Sequence, residues 1–324
     1  FASFPGWSGE TDMARRTILF ASNIDDPAPW KALFARERPD IEFRIWPDMG
    51  DPQDITHALI WRIPNGVLAS LKNLKAIFSL GAGIDQIIVD PEFPKDIPLF
   101  RLVDAGLREQ MTEYALYGVL HWHRRMGDYA RQQGAAEWRM HPAVHPSQRL
   151  VGVMGLGVFG TDIARKLASM GFRVSGWSRT RKIIHGVDSF VGEKEFRTFL
   201  GQSEILINVL PLTSDTRGIL SSELFAHLPG GGALVHLGRG GHLVESDLVA
   251  ALDEGQLDWA MLDVFPNEPL PRDSPLWAHP KAFVTPHVAA QPVSDAAERL
   301  MLENFNKFDR GEEPTGRVDL RVGY

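Results

Sequence analysis

The sequence contains no cysteine. That excludes disulfides, thiolate nucleophiles and thiolate-held metals, and it suits a reducing compartment, so a cytoplasmic setting is expected. No apolar run approaches the roughly 20 residues that a membrane-spanning helix needs, and no secretory leader pattern is visible, so no membrane partner is expected. Positive charge is not in excess: 34 Lys and Arg stand against 41 Asp and Glu, a net charge of −7. A nucleic-acid partner is therefore not expected. The 11 histidines show no spacing of the H-E-x-x-H kind, so no metal is expected either. Repeats and low-complexity segments are absent.

What remains is an ordinary globular composition, 44% hydrophobic over 324 residues, enough for two domains. Phe1–Asp12 has no periodicity and reads as an expression remnant outside the fold.

The most informative stretch is Arg149–Lys182. The apolar run Leu150–Met154 reads as a buried strand. Gly155-Leu156-Gly157-Val158-Phe159-Gly160 follows, with the spacing G-x-G-x-x-G. Ile163, Ala164, Leu167 and Ala168 then recur at helical intervals, Gly171 stops the helix, and Phe172, Val174 and Trp177 mark a second strand. Each glycine has its own reason. Gly155 permits the sharp strand-to-helix turn, Gly157 lets a pyrophosphate approach the backbone, and Gly160 lets helix and strand pack closely. A glycine-rich turn alone carries little weight. Between a strand and a helix it points to a bound dinucleotide, with the phosphates at the helix N-terminus.

Another absence lies at the end of the second strand. An NAD-binding unit places Asp or Glu about 20 residues past the glycines, on the ribose hydroxyl. Here the chain reads Trp177-Ser178-Arg179-Thr180-Arg181-Lys182, with no carboxylate. Hydroxyls and cations suit a 2′-phosphate, so NADP(H) is expected over NAD(H); the alternative is a solvated basic loop.

Strand and helix patterns alternate through the chain, which predicts parallel sheets with crossover helices. Strands are expected at Thr17–Ala21, Ile41–Ile45, Ala58–Trp61 and Ala76–Leu80, with a helix around Trp30, Leu33 and Phe34. Gly81-Ala82-Gly83-Ile84-Asp85 follows the last of these strands. It is either a backbone cradle for a small anion or an ordinary turn. Leu107–Gln133 reads as one long helix whose broad apolar coverage suggests a second subunit, and 138–148 reads as an extended arm. Further strands are expected at 205–209, 233–237, 259–264 and 282–284, giving six in a doubly wound domain. Ala296–Phe308 reads as a last helix returning to the first domain. The expected domains are 13–107 with 289–324, and 108–288.

Three polar residues fall at or just past strand ends: Arg239, Glu268 and His287. Reduction of a 2-oxo acid needs its carboxylate neutralised, its carbonyl polarised and a proton delivered. A guanidinium fork suits the first two tasks, and an imidazole, with its ordinary pKa of about 6.5, suits the third. A carboxylate on the far ring nitrogen would orient that imidazole and favour its protonated form.

These residues carry a resemblance. GAGID at Gly81–Asp85, MGLGVFG, WSRTRK, NVLPLT at Asn208–Thr213, the GRG around Arg239, AMLDVFPNEPLP and VTPHVAA resemble the D-isomer-specific 2-hydroxyacid dehydrogenases, and within them the glyoxylate/hydroxypyruvate reductase A branch. The match covers nearly all of Met13–Tyr324. It implies two Rossmann-like domains, a doubly wound dinucleotide-binding domain and a smaller flavodoxin-like substrate domain, with a cleft between them. It implies Arg239 and His287 as catalytic, with Glu268 as the partner of His287, and the backbone of Ala82, Gly83 and Ile84 on the substrate carboxylate. Leu210, Pro211, Thr216, Leu237 and Asp263 would line the nicotinamide half, with Met111 nearby. Trp61 would line the substrate pocket, Arg62 would add charge there, and Trp138 would reach the pocket of a partner in a homodimer. For both tryptophans, simple packing is the alternative. Two other readings stand beside reduction of glyoxylate and hydroxypyruvate: a lactate-, phosphoglycerate- or phenylpyruvate-type substrate, or a nucleotide sensor with no catalysis.

Overall fold

The computed structural model describes residues 16–103 and 105–321; the expected remnant at 1–12 lies outside the described residues. The chain forms two compact units. One holds residues 16–103 and 294–321, and the other holds 105–293.

The first unit runs β1 (Arg16–Ala21), α1 (Pro27–Glu37), β2 (Ile41–Ile45), β3 (His57–Ile60), α2 (Val67–Ser70), β4 (Ala76–Ser79), α3 (Asp85–Ile88) and β5 (Leu99–Arg101). The strands are parallel in the order β2-β1-β3-β4-β5, the flavodoxin-like order. α1 starts where it does because the Asp26 carboxylate accepts the Ala28 N–H at 3.0 Å and Pro27 supplies a helix-ready φ. Leu19, Ala58, Ile60 and Ile77 face Leu68, Leu71 and Ile87 on one side. The alternate residues Phe20 and Phe78 face Trp30 and Phe305 on the other. Both faces are covered, so the strands read as continuous apolar runs. β5, three residues long, is too short to show a pattern in sequence.

The second unit contains α4 (Leu107–His123), α5 (Met126–Gly134), β6 (Leu150–Met154), α6 (Val158–Ser169), β7 (Arg173–Ser178), β8 (Val187–Val191), α7 (Gly192–Leu200), β9 (Ile205–Asn208), α8 (Ser222–Ala226), β10 (Gly232–His236), α9 (Glu245–Asp253), β11 (Leu257–Leu262) and β12 (Ala282–Val284); α10 (Ser294–Asp309) then belongs to the first unit. Its sheet is parallel, in the order β12-β11-β10-β9-β6-β7-β8. Successive residues alternate between two cores. Val151, Val153, Ile205, Ile207, Val235 and Met261 pack with α4 and α6. Met154, Leu206, Leu234 and Leu262 pack with α7, α8 and α9. α4 comes very close to the sheet at Gly118, where a Cβ would stand 2.9 Å from both Met261 Sδ and Val235 Cγ2.

Three expectations are corrected. The sheet has seven strands, not six: β8 sits at the edge, its residues half-buried or exposed, so VDSFV lacks the apolar run of a central strand. The long helix is two helices, α4 and α5, because Arg125 adopts a left-handed conformation (φ 57°, ψ 36°) and its side chain pairs with Asp128. The arm is irregular only as far as His145; Pro146–Gln148 is a 3-10 turn, capped by the His145 ring. The second unit spans 105–293. Gln110 ties its ends together, accepting the Gln291 N–H at 3.2 Å and donating to the Gln291 carbonyl at 2.6 Å, and Val293 N–H donates to the Ala105 carbonyl. Among the described residues, no helix is long and apolar enough to cross a membrane.

Candidate active site

The order of the large sheet reverses between β6 and β9, the place where doubly wound sheets receive nucleotides. Gly155, at φ +99°, makes the turn out of β6. A Cβ on Gly160 would collide with the Gly155 carbonyl, so that glycine serves packing. A Cβ on Gly157 would meet no atom within 4 Å, so the space before it is open. No side chain caps α6, and Val158 and Phe159 open it, leaving its first N–H groups available to phosphate. The residues present therefore fit a dinucleotide.

The loop after β7 divides its cations. Arg181 donates to the Ser189 carbonyl and, at 2.6 Å, to Glu195 Oε1. It is committed within the fold, which sequence does not show. Ser178 Oγ donates to the Thr180 carbonyl at 2.8 Å, and Lys182 N–H to Ser189 Oγ at 3.0 Å. Arg179, Thr180 and Lys182 are exposed on this loop.

The segment after β9 is braced from within. Leu210 and Leu237 are buried. The Pro211 carbonyl accepts Thr216 Oγ1 at 2.8 Å, and the same hydroxyl accepts the Thr213 N–H at 2.8 Å. Met111, on α4, is partly buried against the core beneath.

Arg239, Glu268 and His287 follow the neighbouring strands β10, β11 and β12, whose carboxyl ends point the same way. Arg239 is half-buried, and its Nη1 donates to the Gly238 carbonyl at 2.9 Å. His287 Nδ1 lies 2.9 Å from Glu268 Oε2, and Glu268 Oε1 accepts the Phe265 N–H at 3.0 Å. Partial burial pushes the Glu268 carboxyl up. The hydrogen bonds from His287 and Phe265, with the charges of His287 and Arg239, outweigh it and hold that carboxyl below the ordinary glutamate range.

His287 has φ 55°, an uncommon conformation for a residue with a side chain. Asp263 holds it there. The Asp263 carboxylate is buried and accepts Val288 N–H and Ala289 N–H, each at 2.8 Å, and Thr285 Oγ1 at 2.6 Å. Its carbonyl accepts the His287 N–H at 2.9 Å. The Tyr114 hydroxyl reaches Thr285 Oγ1 behind this loop. Asp263, expected on the nicotinamide side, thus also shapes the turn that carries the imidazole.

In the first unit, the Trp61 ring covers Gly81 so closely that a Cβ there would strike it. Arg101 Nη1 donates to the Ala82 carbonyl at 3.1 Å, and Ser79 Oγ to the Gly81 carbonyl at 3.1 Å. Ala82 and Gly83 are half-buried, the Ile84 side chain is in the core, and Arg62 is exposed. Trp138 is fully exposed in the single chain. Among the described residues, no cluster of His, Asp or Glu could hold a metal.

Asn208, His236, His242 and Thr285, none of them among the expected site residues, also hydrogen-bond around these loops. Asn208 and His236 had a signal, since each is a polar residue closing an otherwise apolar strand.

A parallel sheet that reverses at β6 and β9, with an uncapped helix facing the gap, is the architecture of a nicotinamide dinucleotide dehydrogenase. The model of the D-isomer specific 2-hydroxyacid dehydrogenase NAD binding domain matches residues 116–289, more than half of the chain. This chain belongs to that family and is a 2-hydroxyacid dehydrogenase. Solved structures agree. A D-isomer specific 2-hydroxyacid dehydrogenase from Xanthobacter autotrophicus Py2, in complex with NADPH and MES, is 38% identical with a TM-score of 0.90, covering 95% of this chain and 99% of that one. An NADPH-dependent glyoxylate/hydroxypyruvate reductase from Sinorhizobium meliloti, in complex with NADP and sulfate, is 36% identical with a TM-score of 0.88, at 95% and 99% coverage. A probable 2-hydroxyacid dehydrogenase from Rhizobium etli CFN 42, with NADP, HEPES and tartaric acid, is 37% identical with a TM-score of 0.89, at 96% and 100% coverage.

Proposed function

We propose that this dehydrogenase is an NADPH-dependent reductase of small 2-oxo acids, glyoxylate and hydroxypyruvate first, working in the cytoplasm. The observation that carries the reading is the Glu268–His287 pair beside Arg239, at the ends of adjacent strands. The absence of a carboxylate from 177–182 supports the phosphorylated cofactor. So do the neighbours bound to NADP or NADPH, one of them a glyoxylate/hydroxypyruvate reductase.

NADPH, when bound, supplies the hydride for the 2-oxo carbon. Arg239 takes the substrate carboxylate and polarises the carbonyl through its planar fork. His287, oriented by Glu268 through Nδ1, presents Nε2 and delivers the proton to the carbonyl oxygen, so that the product is the 2-hydroxy acid. The glycine turn with Val158 and Phe159 takes the pyrophosphate. Ser178, Arg179, Thr180 and Lys182 take the 2′-phosphate. Met111, Leu210, Pro211, Thr216, Leu237 and Asp263 line the nicotinamide half. Trp61, Arg62 and the backbone of Ala82, Gly83 and Ile84 serve the substrate. The second copy of a homodimer contributes Trp138, an assignment supported by the exposure of Tyr117, Met126, Tyr129, Trp138 and Met140.

The test is the loss of reduced-nicotinamide absorbance with glyoxylate, NADPH against NADH. Fast NADPH and slow NADH oxidation are expected. Equal rates would discard the phosphate argument. No oxidation with any small 2-oxo acid, cofactor still bound, would overturn the reading in favour of a sensor.

A further inference from the structure

Beneath Arg239 lies a polar group that the reaction described above does not use. Asn208, His236 and His242 are all fully buried. The Asn208 amide nitrogen lies 3.1 Å from His242 Nδ1 and 3.2 Å from His236 Nδ1, one hydrogen for each ring. Its oxygen accepts the Leu210 N–H at 3.3 Å, which fixes the orientation of the amide. His242 Nδ1 also accepts the backbone N–H of Arg239 at 3.1 Å. A backbone N–H only donates, so Nδ1 is the bare nitrogen and the ring proton sits on Nε2. That Nε2–H faces the Pro211 carbonyl at 3.2 Å. Gly238 makes room for the ring, since a Cβ there would stand 2.9 Å from His242 Nδ1.

We propose that His242 is a positioning residue, whose ring clasps the Arg239 backbone with one nitrogen and the Pro211 carbonyl with the other. It holds the guanidinium that receives the substrate in register with the segment that lines the nicotinamide. The assignment rests on the functional reading above for the roles of Arg239 and Pro211; the geometry of the clasp does not. A core-filling ring would need neither nitrogen. Here both are engaged, in opposite senses, and each bond leads to a different loop. An apolar ring in the same space would remove the acceptor for the Arg239 N–H and the donor to Pro211.

Two amide substitutions separate the two ends of the clasp. His242→Asn keeps an acceptor near the Nδ1 position and cannot reach Pro211. His242→Gln reaches Pro211 and lacks the near acceptor. Losing one such hydrogen bond shifts an equilibrium by about tenfold. For His242→Asn, the NADPH Kd from nicotinamide fluorescence rises by about that factor, and the glyoxylate KM stays within about threefold. For His242→Gln, KM rises and kcat falls by a similar factor, and the NADPH Kd stays within about threefold. Imidazole 15N signals of the wild-type protein provide a check free of variants and of turnover: His242 shows protonated Nε2 and bare Nδ1. The opposite tautomer, or two variants indistinguishable from each other, overturns the clasp. Failure of the wild-type protein to turn over any 2-oxo acid overturns the functional reading instead, and the 15N signals and NADPH titrations still decide the clasp.

Discussion

His287 Nδ1 and Glu268 Oε2 stand 2.9 Å apart, and the other oxygen of Glu268 takes the Phe265 N–H at 3.0 Å. The carboxylate is fixed at both oxygens before it orients the ring. The far nitrogen, Nε2, is the one that the proposed function assigns to the substrate.

On the proposed function, His287→Ala removes the acid. Turnover of glyoxylate falls about 10²- to 10⁴-fold, and NADPH titration by fluorescence is unchanged. Glu268→Gln keeps the shape and removes the charge, and lowers kcat more than KM. Because the Glu268 carboxyl is held below its ordinary range, the carboxylate form persists as pH falls past that range and is lost only at lower pH. A rate–pH profile compared with that of Glu268→Gln reads this directly. Unchanged turnover in His287→Ala would remove the imidazole from the mechanism.

The glycines at 157 and 160 behave differently on substitution. Gly157→Ala meets no protein atom, so its melting temperature stays near that of the wild type while the cofactor Kd rises. Gly160→Ala drives a methyl into the Gly155 carbonyl and costs about 1–3 kcal/mol of stability. Thermal melts with and without NADPH distinguish the two. Equal loss of stability in both would contradict the division of roles.

On the proposed function, cofactor choice rests on part of the basic loop. Arg179→Ala and Lys182→Ala each raise the KM for NADPH by about tenfold, and leave NADH within about twofold. Arg181→Ala changes the ratio less, because Arg181 is paired with Glu195 and Ser189. An equal effect from all three would mean that the Arg181–Glu195 pair opens on binding.

Two buried imidazoles, His57 in the first unit and His236 in the second, are held far below their ordinary range. Burial pushes His57 down to about 3, helped by Lys75 and Arg16, and burial with His242 nearby does the same for His236. In the unfolded chain both titrate at about 6.5, so between those values the unfolded state binds more protons. Stability is therefore full above pH about 6.5 and falls below it, by up to about 1.4 kcal/mol per pH unit for each ring. Urea unfolding at about pH 8, 6.5 and 5 shows the slope, and His57→Phe reduces it. A flat profile would mean that the buried rings accept protons in the fold.

Much of this molecule was legible because both sheets are covered on both faces. Leu150–Met154, Ile205–Asn208 and Leu257–Leu262 are apolar at nearly every position, and such runs stand out. The edge strand Val187–Val191 did not, being half-wet. The break at Arg125 left no mark in sequence, since an arginine carries no signature of left-handed backbone. Arg239, Glu268 and His287 stood out in sequence because each follows a strand. The hydrogen bonds that hold them did not. Asp263 gathering Val288, Ala289 and Thr285, and His242 reaching Arg239 and Pro211, depend on which loops meet, and sequence spacing is blind to that.

Arg239, Glu268 and His287 lie on loops that follow neighbouring strands, so it is the sheet, with strands roughly 4.8 Å apart, that brings those loops together across the long stretches of chain between them. The opposite rim of that sheet, where the strands begin, is remote from those loops. After α9 the chain turns at exposed Gly255, φ +78°, into the start of β11. A peptide tag spliced there would sit at the far end of the strand that leads to Glu268, one strand's length from the carboxyl ends that carry Arg239, Glu268 and His287.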